Sequence, residues 1–202
     1  MIKKGKLFVI SGPAGSGKGT VMNLLTEKSD SLSLSVSLTS RPMLKGEAEG
    51  VNYYYVTREQ FEAKIAEGEV LEYTEYCGNY YGTPKRPALD VIESGKHLLL
   101  EIEVDGAMQV KKKMRNAITV MLTPPDGETL ERRLRSRGTE TNEVILWRLA
   151  RAKEEIALMP KYDYSVVNED GKVKECADLI YSIISAEHEK TKRTKQIIKK
   201  FI

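Results

Sequence analysis

The sequence predicts an α/β fold, a parallel sheet covered by helices, with an inserted lobe of short strands and a helical excursion late in the chain. Three observations carry this reading. Apolar runs suited to buried strands alternate with helical patterns, a glycine-rich turn joins the first run to the first helix, and a tyrosine-rich stretch interrupts the alternation. Strands that alternate with helices build parallel sheets covered on both faces.

The elements follow in order. Leu7-Phe8-Val9-Ile10 reads as a buried strand, and the turn after it opens a helix over Val21–Ser29. From Ser37 to about Pro84 the chain is less regular and carries Tyr53, Tyr54, Tyr55, Tyr73, Tyr76, Tyr80 and Tyr81. We read this as the inserted lobe, with short antiparallel strands such as Asn52–Val56 and Val70–Tyr76 and a helical pattern over Glu59–Glu67. A helix over Arg86–Ser94 and strands over His97–Ile102 and Ile118–Leu122 resume the alternation. Thr123-Pro124-Pro125 then punctuates the end of a strand. Beyond it, Leu130 and Leu134 share one face of a helix over Glu128–Arg137. Gly138 breaks the pattern, and Ile145, Leu149, Ala152 and Ile156 stripe a longer helix over Glu143–Met159 that ends at Pro160. A strand over Tyr164–Val167 and a helix over Ala177–Glu189 complete the order.

Composition bounds the function classes. With 202 residues the chain can bury one substantial core. Cys77 and Cys176 show neither paired metal spacing nor a disulfide framework, which suits a reducing cytoplasm and two small, buried or half-buried residues. No run approaches the roughly 18 apolar residues of a membrane span, and the run after Lys3 and Lys4 is too short for a signal peptide. Of the net charge of +3, the stretch from Ala186 to Ile202 holds +4, leaving the remainder at −1. The body therefore does not invite nucleic acid. Ile197, Ile198, Phe201 and Ile202 recur at helical spacing, so the tail reads as a terminal helix with a solvated lysine face.

Gly12-Pro13-Ala14-Gly15-Ser16-Gly17-Lys18-Gly19-Thr20 carries the first chemistry. A strand, a glycine-rich turn and a helix start form a phosphate cradle. Backbone N–H groups point inward, the helix N-terminus adds partial positive charge, and Lys18 adds a full one. Gly19 stands where a magnesium-binding hydroxyl is usual, and Thr20 supplies the hydroxyl one residue later. That Gly-Lys-Gly-Thr ending resembles nucleoside-monophosphate kinases more than GTPases or motor ATPases.

The lobe reads Ser35-Val36-Ser37-Leu38-Thr39-Ser40-Arg41, Gly46-Glu47, Gly50-Val51-Asn52-Tyr53, Leu71-Glu72-Tyr73 and Gly78-Asn79-Tyr80-Tyr81-Gly82-Thr83. Together with the phosphate loop, these segments resemble the guanylate kinase family from Leu7 to about Asn168, in order and at near-family spacing. The resemblance implies a P-loop NTPase-type core over 1–36, 85–123 and 160–202, an acceptor lobe over 37–84 and a lid over 124–159. It implies transfer of the γ-phosphoryl group of ATP to GMP or dGMP, with magnesium as cofactor. By position, Arg41, Tyr53 and Tyr81 would hold the GMP phosphate and Glu72 the guanine N1–H and N2–H₂, with Ser37 and Thr83 beside the base. A buried carboxylate reading paired donors rejects an analogue lacking them by roughly 10⁴-fold.

In Leu98-Leu99-Leu100-Glu101-Ile102-Glu103-Val104-Asp105-Gly106, the resemblance turns Glu101 toward the guanine site and sets Glu103 deeper. Arg133, Arg137 and Arg148 match the family's lid arginines, cations that arrive as water is excluded, while Arg132, Arg135 and Arg151 read as solvated. Asn168 matches the asparagine beside the adenine of ATP. Catalysis would thus rest on Lys18, Arg41, Arg133, Arg137 and Arg148, and magnesium on Thr20 with waters. The implied protein is a cytoplasmic monomer or homodimer that binds ATP and GMP or dGMP and has no nucleic-acid or membrane partner.

Leu44 is the clearest departure. The family commonly reads Arg-x-x-Arg-x-Gly-Glu, and this chain reads Arg41-Pro42-Met43-Leu44-Lys45-Gly46-Glu47. One lost charged hydrogen-bond pair costs on the order of 2 kcal/mol, so weaker GMP binding or a different acceptor is expected. Two alternatives stay open: a kinase of another phosphorylated acceptor, such as a phosphorylated ribose, and a non-catalytic guanylate-kinase-like binding module.

Overall fold

The computed structural model describes residues 4–189 apart from Cys77, Arg137 and Thr139. In chain order the first elements are β1 (Leu7–Ser11), α1 (Lys18–Lys28), β2 (Leu32–Leu34), β3 (Ser37–Thr39) and β4 (Tyr53–Tyr55). They continue with α2 (Arg58–Ala66), β5 (Val70–Tyr76), β6 (Asn79–Pro84), α3 (Lys85–Glu93), β7 (His97–Glu101) and α4 (Val104–Lys113). The last are β8 (Ile118–Thr123), α5 (Gly127–Ser136), α6 (Asn142–Ile156), a 3-10 turn (Met159–Lys161), β9 (Tyr164–Val167) and α7 (Val173–Glu189).

The main sheet has the order β2-β7-β1-β8-β9, and every described pairing in it is parallel. All of β1 is buried, as expected for a central strand covered on both faces. Its side chains alternate between two cores. Phe8 and Ile10 pack with Met22 and Leu25 of α1 and Ile180 and Ile184 of α7, whereas Leu7 and Val9 join Leu98, Leu100, Ala107 and Val110. Asp163 seats β9, because its carboxylate accepts from the Thr119 amide and hydroxyl, each at 2.9 Å.

A second sheet, β4-β3-β6-β5, forms the lobe. The expectation of antiparallel strands holds for β5 with β6 but not for β4, which pairs with β3 in parallel. The long connection from Ser40 to Asn52 lets the chain return in the same direction. Successive tyrosines take opposite faces, so Tyr54 and Tyr80 pack with Leu38, Phe61, Val70 and Tyr73 in the lobe's own core. A capping box at Thr57 and Gln60 starts α2 and delivers Phe61 to that core.

Four elements lay outside the sequence reading. β2 and β3 have three residues each, too short for a period to show, and β6 is a polar Asn-Tyr-Tyr-Gly-Thr-Pro run. α4 carries Gly106 in its interior and ends in three lysines, which weakens its helical signature. Its Gln109 amide bridges the backbone of Tyr73, accepting from N at 3.2 Å and donating to O at 2.9 Å, and so ties the main sheet's helix to the lobe. Helix α7 starts at Val173, four residues before the predicted start. The predicted tail helix at Ile197–Ile202 and the predicted state of Cys77 lie outside the described residues. Cys176 is buried, and burial pushes its thiol up to about 11. No described helix is long and apolar enough to cross a membrane.

Phe61 is fully buried at the centre of a small core. Phe61→Ala should therefore cost about 3–5 kcal/mol of stability in urea unfolding. A loss below about 1 kcal/mol would show that the lobe does not depend on this core.

Candidate active site

The phosphate loop leaves the C-terminal end of β1 and runs into α1. Helix α1 has no side-chain N-cap bond and no acidic residue in its first turn, so its first-turn amides and dipole are available to an anion. Gly17 holds φ at +92°, and a Cβ there would collide with the Asn168 amide nitrogen. That nitrogen donates to the Ser16 carbonyl at 2.9 Å, while the Asn168 backbone amide donates to Thr123 at 2.7 Å. Asn168, expected beside an adenine, is therefore buried and braces the loop itself. Lys18 Nζ donates to the Gly12 carbonyl at 2.6 Å, folded back over the cradle. Thr20 is exposed in the first turn of α1. Ser16 Oγ and Asn168 Oδ1 are buried with no hydrogen-bond partner among the described residues.

Register sorts the lobe's other face. Ser37 stands opposite Tyr53, and Thr39 opposite Tyr81, which turns Ser37, Tyr53 and Tyr81 away from the Phe61 core. Ring centroids of Tyr53 and Tyr81 are 6.0 Å apart, and the Arg41 guanidinium lies 5.5 Å over the Tyr53 ring. The register of β5 on β6 shifts between Val70 and Tyr73, a bulge that aims Glu72 at Thr83. Thr83 Oγ1 donates to Glu72 Oε1 at 2.7 Å. Glu72 is 3% exposed, and burial raises its carboxyl above the usual range against the opposing pull of the Thr83 bond. Gly106 makes room for it, since a Cβ there would stand 2.6 Å from Glu72 Oε2.

A cleft of about 320 Å³ joins the two sheets. Lys18, Glu101 and Glu103 line it from the main sheet, and Ser37, Tyr53 and Thr83 from the lobe. Burial raises the Glu101 carboxyl and Lys18 opposes the rise. Glu103 does not lie deeper, as the resemblance implied. It is the exposed N-cap residue of α4, because the chain turns into that helix just past β7. A larger cavity of about 500 Å³ lies behind the lobe, lined by Leu38, Tyr54 and Val56 among others, and contains none of the expected site residues.

The arginines have carboxylate partners. Arg133 Nη2 donates to Asp170 Oδ1 at 2.6 Å and to the Asn168 carbonyl at 2.8 Å, which links α5 to the loop's brace. Its Nη1 is buried without a partner among the described residues. Arg148 pairs with Glu140 at 2.8 Å inside the helical excursion, and Arg137 lies outside the described residues. Arg41 Nη2 donates to Glu47 at 2.7 Å. Arg151, read as solvated, instead bonds Asp105 of α4 and pairs with Glu154 at 3.2 Å and buried Glu155 at 3.5 Å. The Asp105 bond ties α6 to α4, a contact no local pattern reveals. Arg132 and Arg135 are exposed and paired, Arg132 with Asp170 and Arg135 with Glu131 at 2.6 Å. Leu44, at 59% exposure, turns to solvent.

Sequence reasoning missed Asp170, Gln109 and Gly106. Asp170 carried a signal in Asn168-Glu169-Asp170-Gly171, a turn set just beyond a strand. Gln109 and Gly106 act across the junction of the two sheets and carried none.

Comparison with known proteins agrees with this geometry. The family profile described as guanylate kinase matches residues 4–187. The guanylate kinase of Streptococcus agalactiae serotype III (strain NEM316) is 50% identical over 194 residues, which cover 96% of this chain and 92% of the relative. That of Oceanobacillus iheyensis is 45% identical over 203 residues, covering 100% and 98%. The crystal structure of guanylate kinase from Anaplasma phagocytophilum superposes with a TM-score of 0.72 at 36% identity, covering 95% of this chain and 90% of that one. A phosphate loop facing a lobe with a buried carboxylate, and near-complete coverage by these relatives, lead to one conclusion: the chain belongs to the guanylate kinase family.

Proposed function

We propose that the protein transfers the γ-phosphoryl group of ATP to GMP or dGMP, giving ADP and GDP or dGDP. The observation that carries this reading is the single cleft shared by Lys18 and by the lobe residues Ser37, Tyr53 and Thr83, with Glu72 buried against Thr83. The loop Gly12–Thr20 would hold the donor phosphates, with Asn168 seating it from behind. Arg41, Tyr53 and Tyr81 would hold the acceptor phosphate, and Glu72 would accept from guanine, with Ser37, Thr83 and Glu101 around the base. One acceptor-phosphate oxygen bonds to the γ-phosphorus as the bridging oxygen leaves with ADP. No general base is needed, because a phosphate monoester is largely ionised near pH 7. Arg133, Arg137 and Arg148 would neutralise charge on the moving group as water is excluded, Arg133 leaving Asp170 and Arg148 leaving Glu140. The core over 1–36, 85–123 and 160–202, the acceptor lobe over 37–84 and the lid over 124–159 are assigned on the same reading. We place the protein in the cytoplasm, as a monomer or homodimer.

A magnesium ion fits these residues. Thr20 offers a hydroxyl at the loop's end, and the Glu101 carboxylate lies 3.7 Å from where a Cβ on Gly19 would stand. No group of three His, Cys, Asp or Glu among the described residues forms a metal cage, and so sparse a donor set suits a hard ion that keeps most of its waters. Thr20 would hold it with waters, and when bound it supplies Lewis-acid neutralisation of the donor phosphates.

An ADP-release assay with GMP, dGMP, AMP, CMP and UMP tests the function. Turnover is expected with GMP or dGMP, and none with any acceptor would refute it. Lys18→Met should lower kcat at least about 100-fold without changing the melting temperature.

Glu72 yields a paired prediction. Its folded-state pKa is raised, so its stability contribution is most favourable at acid pH and declines as pH rises through that value. Glu72→Gln should therefore melt higher than the parent at pH 7.5, with the gap narrowing toward the ordinary glutamate range, while losing preference for GMP over AMP. Equal melting at pH 7.5, or an unchanged preference, would contradict the assignment.

A further inference from the structure

The loop from Arg41 to Glu47 closes on one carboxylate. Glu47 Oε1 accepts from Arg41 Nη2 at 2.7 Å, and Glu47 Oε2 accepts from the Tyr55 hydroxyl at 2.9 Å and the Leu44 backbone amide at 2.8 Å. Arg41 Nη1 also donates to the Pro42 carbonyl at 2.8 Å. A guanidinium has five N–H donors in a rigid fork, and these bonds use one on each terminal nitrogen. The guanidinium carbon lies 5.5 Å over the Tyr53 ring, and the Tyr81 side chain is a further hydrogen-bonding neighbour of the fork. Arg41 and Glu47 are each only about one-fifth exposed, at 19% and 20% of their side-chain surface.

The chain offers no second arginine here. Leu44 contributes its backbone amide to Glu47 and points its side chain outward. A single long arginine left free would lose rotamer entropy on each binding event. The Arg41 bond, followed by the Leu44 amide, holds the Glu47 carboxyl down at about 2, so the anchor stays charged across the working range.

Resting on the acceptor assignment above, we propose that Glu47 is the positioning residue of the acceptor-phosphate site, holding the fork of Arg41 and the hydroxyl of Tyr55 in place for a phosphate monoester. Glu47 does not touch the acceptor. It acts through Arg41, and it takes over the ordering that a second cation at position 44 would otherwise share.

Kinetics and calorimetry on the full chain with E47Q and Y55F test this. The glutamine keeps the shape and one acceptor oxygen but loses the charge and the second acceptor. For E47Q we expect the KM for GMP to rise about 10-fold, with kcat within about threefold and the KM for ATP within about twofold. Y55F should raise the KM for GMP about twofold to threefold. Calorimetry should show weaker GMP binding by E47Q but unchanged guanosine binding, because guanosine lacks the phosphate. An unchanged or lowered KM for GMP in a folded E47Q, or equal losses for GMP and guanosine, would overturn the proposal. Should E47Q fail to fold, Y55F decides by the same GMP-to-guanosine comparison. Lack of GMP turnover by the parent protein would refute the acceptor assignment instead, and is read before either variant.

Discussion

Burial of β1 on both faces is the constraint from which the site follows. A central strand flanked by β7 and β8 in parallel must release its chain at the same edge as its neighbours. That edge receives the phosphate loop after Ser11, Glu101 at the end of β7, and Asn168 just beyond β9. Ligands of open parallel sheets sit outside the carboxyl ends of the strands for this reason. The Asn168 amide then turns proximity into geometry by bonding the Ser16 carbonyl where Gly17 leaves it room.

The lobe faces that edge through a polar surface backed by its own small core. Placing Glu72 at the junction is costly, because a buried carboxylate loses hydration that hydrogen bonds from the Thr83 hydroxyl and backbone only partly replace. No cation is hydrogen-bonded to it among the described residues; Lys113 acts only as a charge at longer range. Such a cost is reasonable where a ligand brings the missing donors. Gly106 belongs to the same arrangement, trading helix propensity in α4 for space against the carboxylate.

The candidate phosphate-binding arginines follow one rule. Arg41, Arg133 and Arg148 are each held by a carboxylate of the chain, Glu47, Asp170 and Glu140. Pairs that stay in contact with solvent add little to stability. Their effect is on orientation, since a guanidinium already fixed in its fork loses less freedom when a phosphate arrives. The Arg133 group goes further, because its bond to the Asn168 carbonyl joins the helical excursion to the brace of the phosphate loop.

Much of this was legible in the residues. Continuous apolar runs such as Leu7–Ile10 and Ile118–Leu122 named the buried strands, and the spacing of Gly12, Gly17 and Lys18 named the cradle, because both signals are local. The three-residue strands β2 and β3, the parallel direction of β4 and helix α4 were not legible, since each is decided by a partner distant in sequence. The sequence by itself determined the long buried strands, the helices other than α4, the phosphate loop and the residue types of the acceptor lobe, all properties of spacing along the chain. Tertiary structure alone decided that Glu47 gathers Arg41, Tyr55 and the Leu44 amide, that Asn168 braces the loop, and that Arg151 is tied to Asp105. Those are choices of partner, and charged side chains with many acceptors within reach take the one that packing brings nearest.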